Sequence, residues 1–231
     1  MNGFAHYKAV IDGLPIHFIH EKGKGPRPMP LILTHGWPWT FWDLRQVIRP
    51  LADPASHGGD PADAFDVVVP SLPGFGFSVP LATPGVNFVT TADLWQRLMR
   101  EGLGYDKFAA QGGDWGALVT TQLGHKYAQD LHGIHLSLSV PLDFIDRGGW
   151  FGEAEYAADE RQHYARTMAA APTIASHLSV HTHDPQSLAY GMHDSPAALA
   201  AWIVERRRAW SDCGGNVERR FSKDDLLTTL M

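Results

Sequence analysis

An α/β fold with a mostly parallel sheet is predicted by three observations. Short apolar, β-branched runs alternate with longer segments of helical periodicity through the first 142 residues. Turns rich in glycine and proline follow several of these runs on the carboxyl side. From Asp143 onward only helical spacing remains. The chain therefore divides into a core over 1–142 and a helical segment, read as a lid, over 143–231.

Residues 8–11 and 16–20 alternate around Asp12-Gly13, a pair suited to a two-residue hairpin turn. Pro26, Pro28 and Pro30 stiffen the approach to Leu31-Ile32-Leu33-Thr34, a short buried strand. Residues 40–51 carry helical apolar spacing. The strand over 65–69 runs into a turn-rich stretch at 70–76. Residues 90–103 read as a helix capped by Thr90 or Thr91 and ended by Gly102 and Gly104. A strand at 108–111, a helix at 117–127 and a strand at 134–140 complete the core. The lid helices are read at 153–170, 188–191, 197–210 and 223–231, and no internal repeat is present.

Bulk composition excludes several function classes. A net charge of −6 argues against a nucleic-acid partner. Cys213 is the sole cysteine, so no intrachain disulfide forms, which fits a reducing cytoplasm. The first residues lack a basic region followed by an apolar run, and neither a signal peptide nor a membrane span is expected. Eight Trp and eleven Phe can furnish both a core and an apolar pocket. His177, His181, His183 and Asp184 place a His-x-His pair that would chelate zinc on a strand, but no further ligands follow at defined offsets. Neither a metal nor a cofactor is expected. Glu205-Arg206-Arg207-Arg208 reads as the solvated face of a lid helix.

Chemistry concentrates in three turns. Gly112-Gly113-Asp114-Trp115-Gly116 has glycines two before and two after one Asp, the nucleophile-elbow pattern with Asp where serine hydrolases carry Ser. A carboxylate held there can attack an alkyl carbon and form an ester, as with an epoxide or an alkyl halide. An Asp in a glycine-rich turn is also a common structural feature, so the elbow alone leaves its role open. Thr34-His35-Gly36-Trp37-Pro38 lies directly after a strand, and Trp37–Pro38 is a candidate cis peptide. Its Trp37 N–H, with that of Trp115, would make an oxyanion hole. His35 is read as a structural anchor rather than a base. Pro70-Ser71-Leu72-Pro73-Gly74-Phe75-Gly76-Phe77-Ser78 forms the third turn, and its aromatics can edge a pocket.

In this order and spacing the three turns resemble the epoxide hydrolases of the α/β-hydrolase fold. The similarity continues through Asp194-Ser195-Pro196, 200–205 and 221–227, which resemble the lid of the microsomal-type branch. The resemblance implies that Asp114 opens the epoxide and that Trp37 and Trp115 supply the oxyanion hole. His35, Gly36 and Pro38 would shape the turn. A His–acid pair from later in the chain would hydrolyse the ester, and lid tyrosines would protonate the epoxide oxygen. The substrate implied is a small hydrophobic epoxide and the product a vicinal diol.

The chain departs from the family pattern in two ways. It stops at Met231, whereas the family continues for two more strands that carry its acid and His. The core is therefore expected to be incomplete, its last strands absent, with a second copy or a complementing C-terminal segment as partner. The N-terminal helical segment of the branch is also missing, and Asp143 is the nearby carboxylate. Counting back from Pro185, the position of the ring-opening Tyr falls on His177, which with Tyr164 is the candidate proton donor; Tyr156 and Tyr190 are others. Two further functions stay open. One is a haloalkane dehalogenase, in which the Trp115 indole would hold the halide, although those enzymes usually carry Asn or Glu where Trp37 stands. The other is a non-catalytic domain binding an apolar ligand or a complementing chain.

Overall fold

The computed structural model describes residues 1–139, 141–143 and 151–230. The chain forms two compact units, Met1–Ile145 and Asp146–Met231.

In the first unit, strands β1 (His6–Ile11) and β2 (Leu14–Glu21) form an antiparallel hairpin. Asp12 and Gly13 both take positive φ, 50° and 79°, which the hairpin turn requires. Strands β3 (Met29–Thr34), β4 (Phe65–Pro70), β5 (Phe108–Gly112) and β6 (Leu131–Leu136) run parallel. The sheet order is β1-β2-β4-β3-β5-β6. After β3 the chain pairs first with β4 on one side and then with β5 on the other. The strand order reverses there, and loops leaving the carboxyl ends of β3 and β5 open a crevice.

Both faces of the central strands are buried, as parallel strands require. Successive side chains alternate between two cores. Ile32 and Val68 point into the larger one, with Trp95, Leu98, Phe108, Val119 and Leu123. Leu31, Leu33, Val67 and Val69 point into the other, with Phe41, Ile48 and Ala52. Helix α1 (Arg45–Ala52) covers the second face; α2 (Phe88–Arg97) and α3 (Trp115–Lys126) cover the first.

Several sequence expectations are corrected at element ends. The helix expected at 40–51 divides: Thr40 caps a short 3-10 turn, Phe41–Leu44, and α1 follows. Neither Thr90 nor Thr91 caps α2. Asn87 does, its side chain accepting from the Val89 and Thr90 N–H groups while the Thr90 hydroxyl accepts from the Asn87 N–H. The reciprocal pair wins because it satisfies several orphan N–H groups at once. Strand β6 begins three residues before the expected 134 and ends at Leu136; Val140 lies outside the described residues.

The second unit is helical: α4 (Arg161–Ile174), α5 (Ser176–His183), α6 (Pro185–Asp194), α7 (Pro196–Ala209) and α8 (Lys223–Leu230). Met231 lies outside the described residues. Helix α6 extends the expected 188–191 in both directions, with Pro185 at its first turn. His181 and His183 lie on a helix, not on the strand that zinc chelation by a His-x-His pair would need, so their spacing of two sets them on different sides of α5. Arg206 is buried rather than solvated: it lies over the Trp202 and Trp210 rings and donates to Ser176 Oγ at 2.9 Å. Its guanidinium stacks on those aromatic faces, an arrangement a charge count alone does not anticipate. Among the described residues, no helix is long and apolar enough to cross a membrane.

Candidate active site

The register Leu31↔Ala109 through Thr34↔Gly112 brings the ends of β3 and β5 side by side. The 35–38 turn and the 113–115 elbow therefore leave the sheet as neighbours. A hydrogen bond from Trp95 Nε1 to Thr34 Oγ1, 3.1 Å and buried, fixes the end of β3.

Asp114 stands between β5 and α3 with φ 53° and ψ −126°, a conformation that L-residues with side chains seldom hold. Its carboxylate is solvent-exposed. Two backbone N–H groups converge on one of its oxygens: Trp37 N donates to Asp114 Oδ1 at 2.8 Å and Trp115 N at 2.7 Å. The Trp37–Pro38 peptide is cis.

The flanking glycines are needed for close approach. A Cβ on Gly112 would lie 2.0 Å from the Gly116 carbonyl oxygen, and one on Gly116 would lie 2.1 Å from that of Thr34. A Cβ on Gly36 would meet Asp114 Oδ1 at 2.5 Å. Gly116→Ala is therefore expected to cost about 3 kcal/mol or more, read as a fall in Tm of about 6–12 °C. Gly191→Ala is the control, because nothing lies within 4 Å of its would-be Cβ. Equal Tm values for the two variants would contradict the steric account.

His35 is buried and hydrogen-bonded through both ring nitrogens. It is 3% exposed; its Nε2 accepts the Leu72 N–H at 3.0 Å, so Nδ1 carries the proton and donates to the Gly36 carbonyl at 3.0 Å. It thereby ties the 35–38 turn to the 70–78 loop, whose Phe75 ring meets it edge-on at 5.5 Å. Burial pushes the His35 pKa down to about 4.

A second buried histidine braces the far end of that loop. His17 Nδ1 lies 2.9 Å from Ser71 Oγ, its N–H donates to Ser78 Oγ, and its Nε2 lies 2.8 Å from His6 Nδ1. Burial first, then the neighbouring His6 and Lys8, lowers its pKa to about 4. Sequence reading passed over His17, although a polar residue inside the apolar run Leu14-Pro15-Ile16-His17-Phe18-Ile19 is a visible signal.

Both histidines fold neutral, whereas the unfolded chain takes up their protons near pH 6.5. Their contribution is complete above that value and is lost as pH falls from about 6.5 through about 4. Unfolding free energy should drop across this window, with His35 contributing on the order of 3 kcal/mol. His35→Gln should flatten the slope in denaturant titrations, and a flat wild-type profile would count against the assignment.

The remaining candidates lie elsewhere in the chain. Asp143 is exposed in the segment after β6. His177 lies on α5 with its ring edge-on to Trp210 at 5.0 Å, and Tyr164 lies on α4 with its ring 5.6 Å from Tyr156. Both belong to the second unit. Among the described residues, no cluster of three His, Cys, Asp or Glu side chains is arranged to hold a metal. Sequence reasoning also missed Ser137, whose N–H donates to the Gly112 carbonyl at 3.1 Å and whose hydroxyl packs on Gly113.

Residues 29–228 match the family described as alpha/beta hydrolase fold, and residues 1–44 match the epoxide hydrolase N terminus. A Stigmatella aurantiaca protein named "Putative epoxide hydrolase" is 39% identical, with 100% of this chain covering 51% of that protein. Epoxide hydrolase 1 of Oryctolagus cuniculus is 35% identical, with 100% of this chain covering 55% of it. The crystal structure of juvenile hormone epoxide hydrolase from Bombyx mori aligns with a TM-score of 0.75 at 26% identity, covering 100% of this chain and 54% of that one. The chain spans about half the length of the curated relatives it matches. It belongs to the α/β-hydrolase fold family, and the relatives compared above are named as epoxide hydrolases.

Proposed function

We propose that this chain carries the alkylating half of an epoxide hydrolase, with Asp114 as covalent nucleophile and the Trp37 and Trp115 N–H groups as oxyanion hole. The observation that carries the reading is the convergence of those two donors on Oδ1 of an exposed carboxylate. Oδ2 is the attacking atom. Its lone pair forms a bond to an oxirane carbon, the ring C–O bond breaks, and the oxirane oxygen takes a proton from a donor. The resemblance to epoxide hydrolases points to His177 or Tyr164 for that role. The product is a hydroxyalkyl ester on Asp114.

Ester hydrolysis needs a water whose proton is removed as it adds to Cγ. Negative charge then develops on Oδ1, where each N–H donor is worth about 3–4 kcal/mol. Collapse of this intermediate releases the diol, whose departing oxygen takes the proton back. Among the described residues, no histidine of the first unit is hydrogen-bonded to a carboxylate. We assign the base and its acid to a complementing segment or a second copy. The exposed residues of edge strand β6, Ile134 among them, support that placement. The single cysteine supports a reducing, cytoplasmic setting. The substrate class is a small hydrophobic epoxide, supported by the names of the relatives and by the exposed Trp115 beside the carboxylate.

Incubation with styrene oxide should add one epoxide mass to the peptide containing Asp114. An adduct placed elsewhere, with Asp114 unmodified, would overturn the reading.

A further inference from the structure

The sequence reading gave no role to Phe88. It is the first residue of α2, set at the helix start by the Asn87–Thr90 capping box. Farther along α2, Trp95 is fully buried and hydrogen-bonds Thr34 at the end of β3. The start of α2 is thus tied to the strand that carries the 35–38 turn. From there the Phe88 ring reaches the Trp115 ring, with centroids 6.0 Å apart and planes tilted by 40°. That separation and tilt lie within the range of interacting aromatic pairs. Phe88 is itself partly buried against the larger core, whereas Trp115 remains 40% exposed. Trp115 immediately follows Asp114, and its own N–H holds Oδ1. An indole braced on one side and open to solvent on another, next to the carboxylate, is apolar surface available to a ligand.

We propose that Phe88 is a positioning residue for substrate selectivity. It braces the Trp115 indole so that its free surface receives a flat, unsaturated substituent of the epoxide while Asp114 attacks the ring. This rests on the reading of Asp114 as nucleophile. The chemical class favoured is an epoxide bearing an aryl or conjugated group, over one of similar length bearing a saturated chain. Removing the brace frees the indole to turn, and the preference falls while attack itself persists.

The test compares alkylation rates of Asp114 by styrene oxide and by 1,2-epoxyhexane, using intact-mass kinetics on the full chain. In Phe88→Ala the aryl-to-alkyl ratio should fall about three- to tenfold, with the 1,2-epoxyhexane rate nearly unchanged. Phe88→Leu retains apolar bulk for the core but lacks the flat face, so its ratio should fall as well, with little change in Tm. Phe88→Tyr should retain the wild-type ratio. If both Phe88→Leu and Phe88→Ala keep the wild-type ratio, the inference fails and the nucleophile reading stands. If both rates fall together, Phe88 is merely structural and the inference fails. If the wild-type chain forms no adduct at Asp114 with either epoxide, the nucleophile reading fails and takes this inference with it.

Discussion

Asp114→Asn should abolish covalent capture of epoxide, lowering the alkylation rate by about 10⁴-fold or more. The substitution leaves an oxygen for the Trp37 and Trp115 N–H groups, so the elbow should persist, with φ near its present 53°. The loss is therefore chemical: an amide is a far weaker nucleophile than a carboxylate, and the oxygen that attacks is the one replaced. Intact-mass kinetics with styrene oxide, run beside a thermal melt, separate the two effects. A folded variant that still gains the epoxide's mass at the wild-type rate would remove Asp114 from the mechanism.

Mixing the chain with excess epoxide should give a burst of one equivalent, followed by diol release about 10²–10⁴-fold below the rate a general base would support. Ester formation draws on the exposed carboxylate and the two backbone donors of the first unit, together with a proton donor for the oxirane oxygen. Its hydrolysis needs an imidazole steered by a carboxylate. The buried histidines of the first unit serve otherwise. His35 clips two loops together and His17 braces a loop against β2. Rapid-quench measurement of bound and released product decides the matter. Sustained turnover by a monomer would overturn the expectation and direct the search to His177, His181 and His183.

Much of this architecture was legible before any coordinates, for physical reasons that act locally. Asp12-Gly13 turns as expected because positive φ at both residues is a property of that pair. The central strands stand out because burial on both faces leaves continuous apolar runs such as Leu31-Ile32-Leu33. The elbow is legible because glycine is the one residue that fits beside Asp114 where backbone atoms come within about 2 Å of a would-be Cβ. The helix ends were read less well. Asn87 and Thr90 compete for one helix start, and reciprocal bonding decides between them. In the second unit, α5 was missed because His177, Ser179, His181 and His183 interrupt its apolar periodicity.

By itself the sequence determined the α/β alternation, the hairpin, the glycine-framed Asp114 and the turn that carries Trp37, since each depends on residues within a few positions of one another. Tertiary structure alone decided the rest. Trp37 and Asp114 are 77 residues apart and share a hydrogen bond only because β3 and β5 pair in the register Thr34↔Gly112. Phe88 meets Trp115, and Trp95 reaches Thr34, only because α2 packs on the same face of the sheet as α3. The free energy that holds such pairs is mainly the burial of the two cores, which is summed over the whole sheet and is written in no single segment.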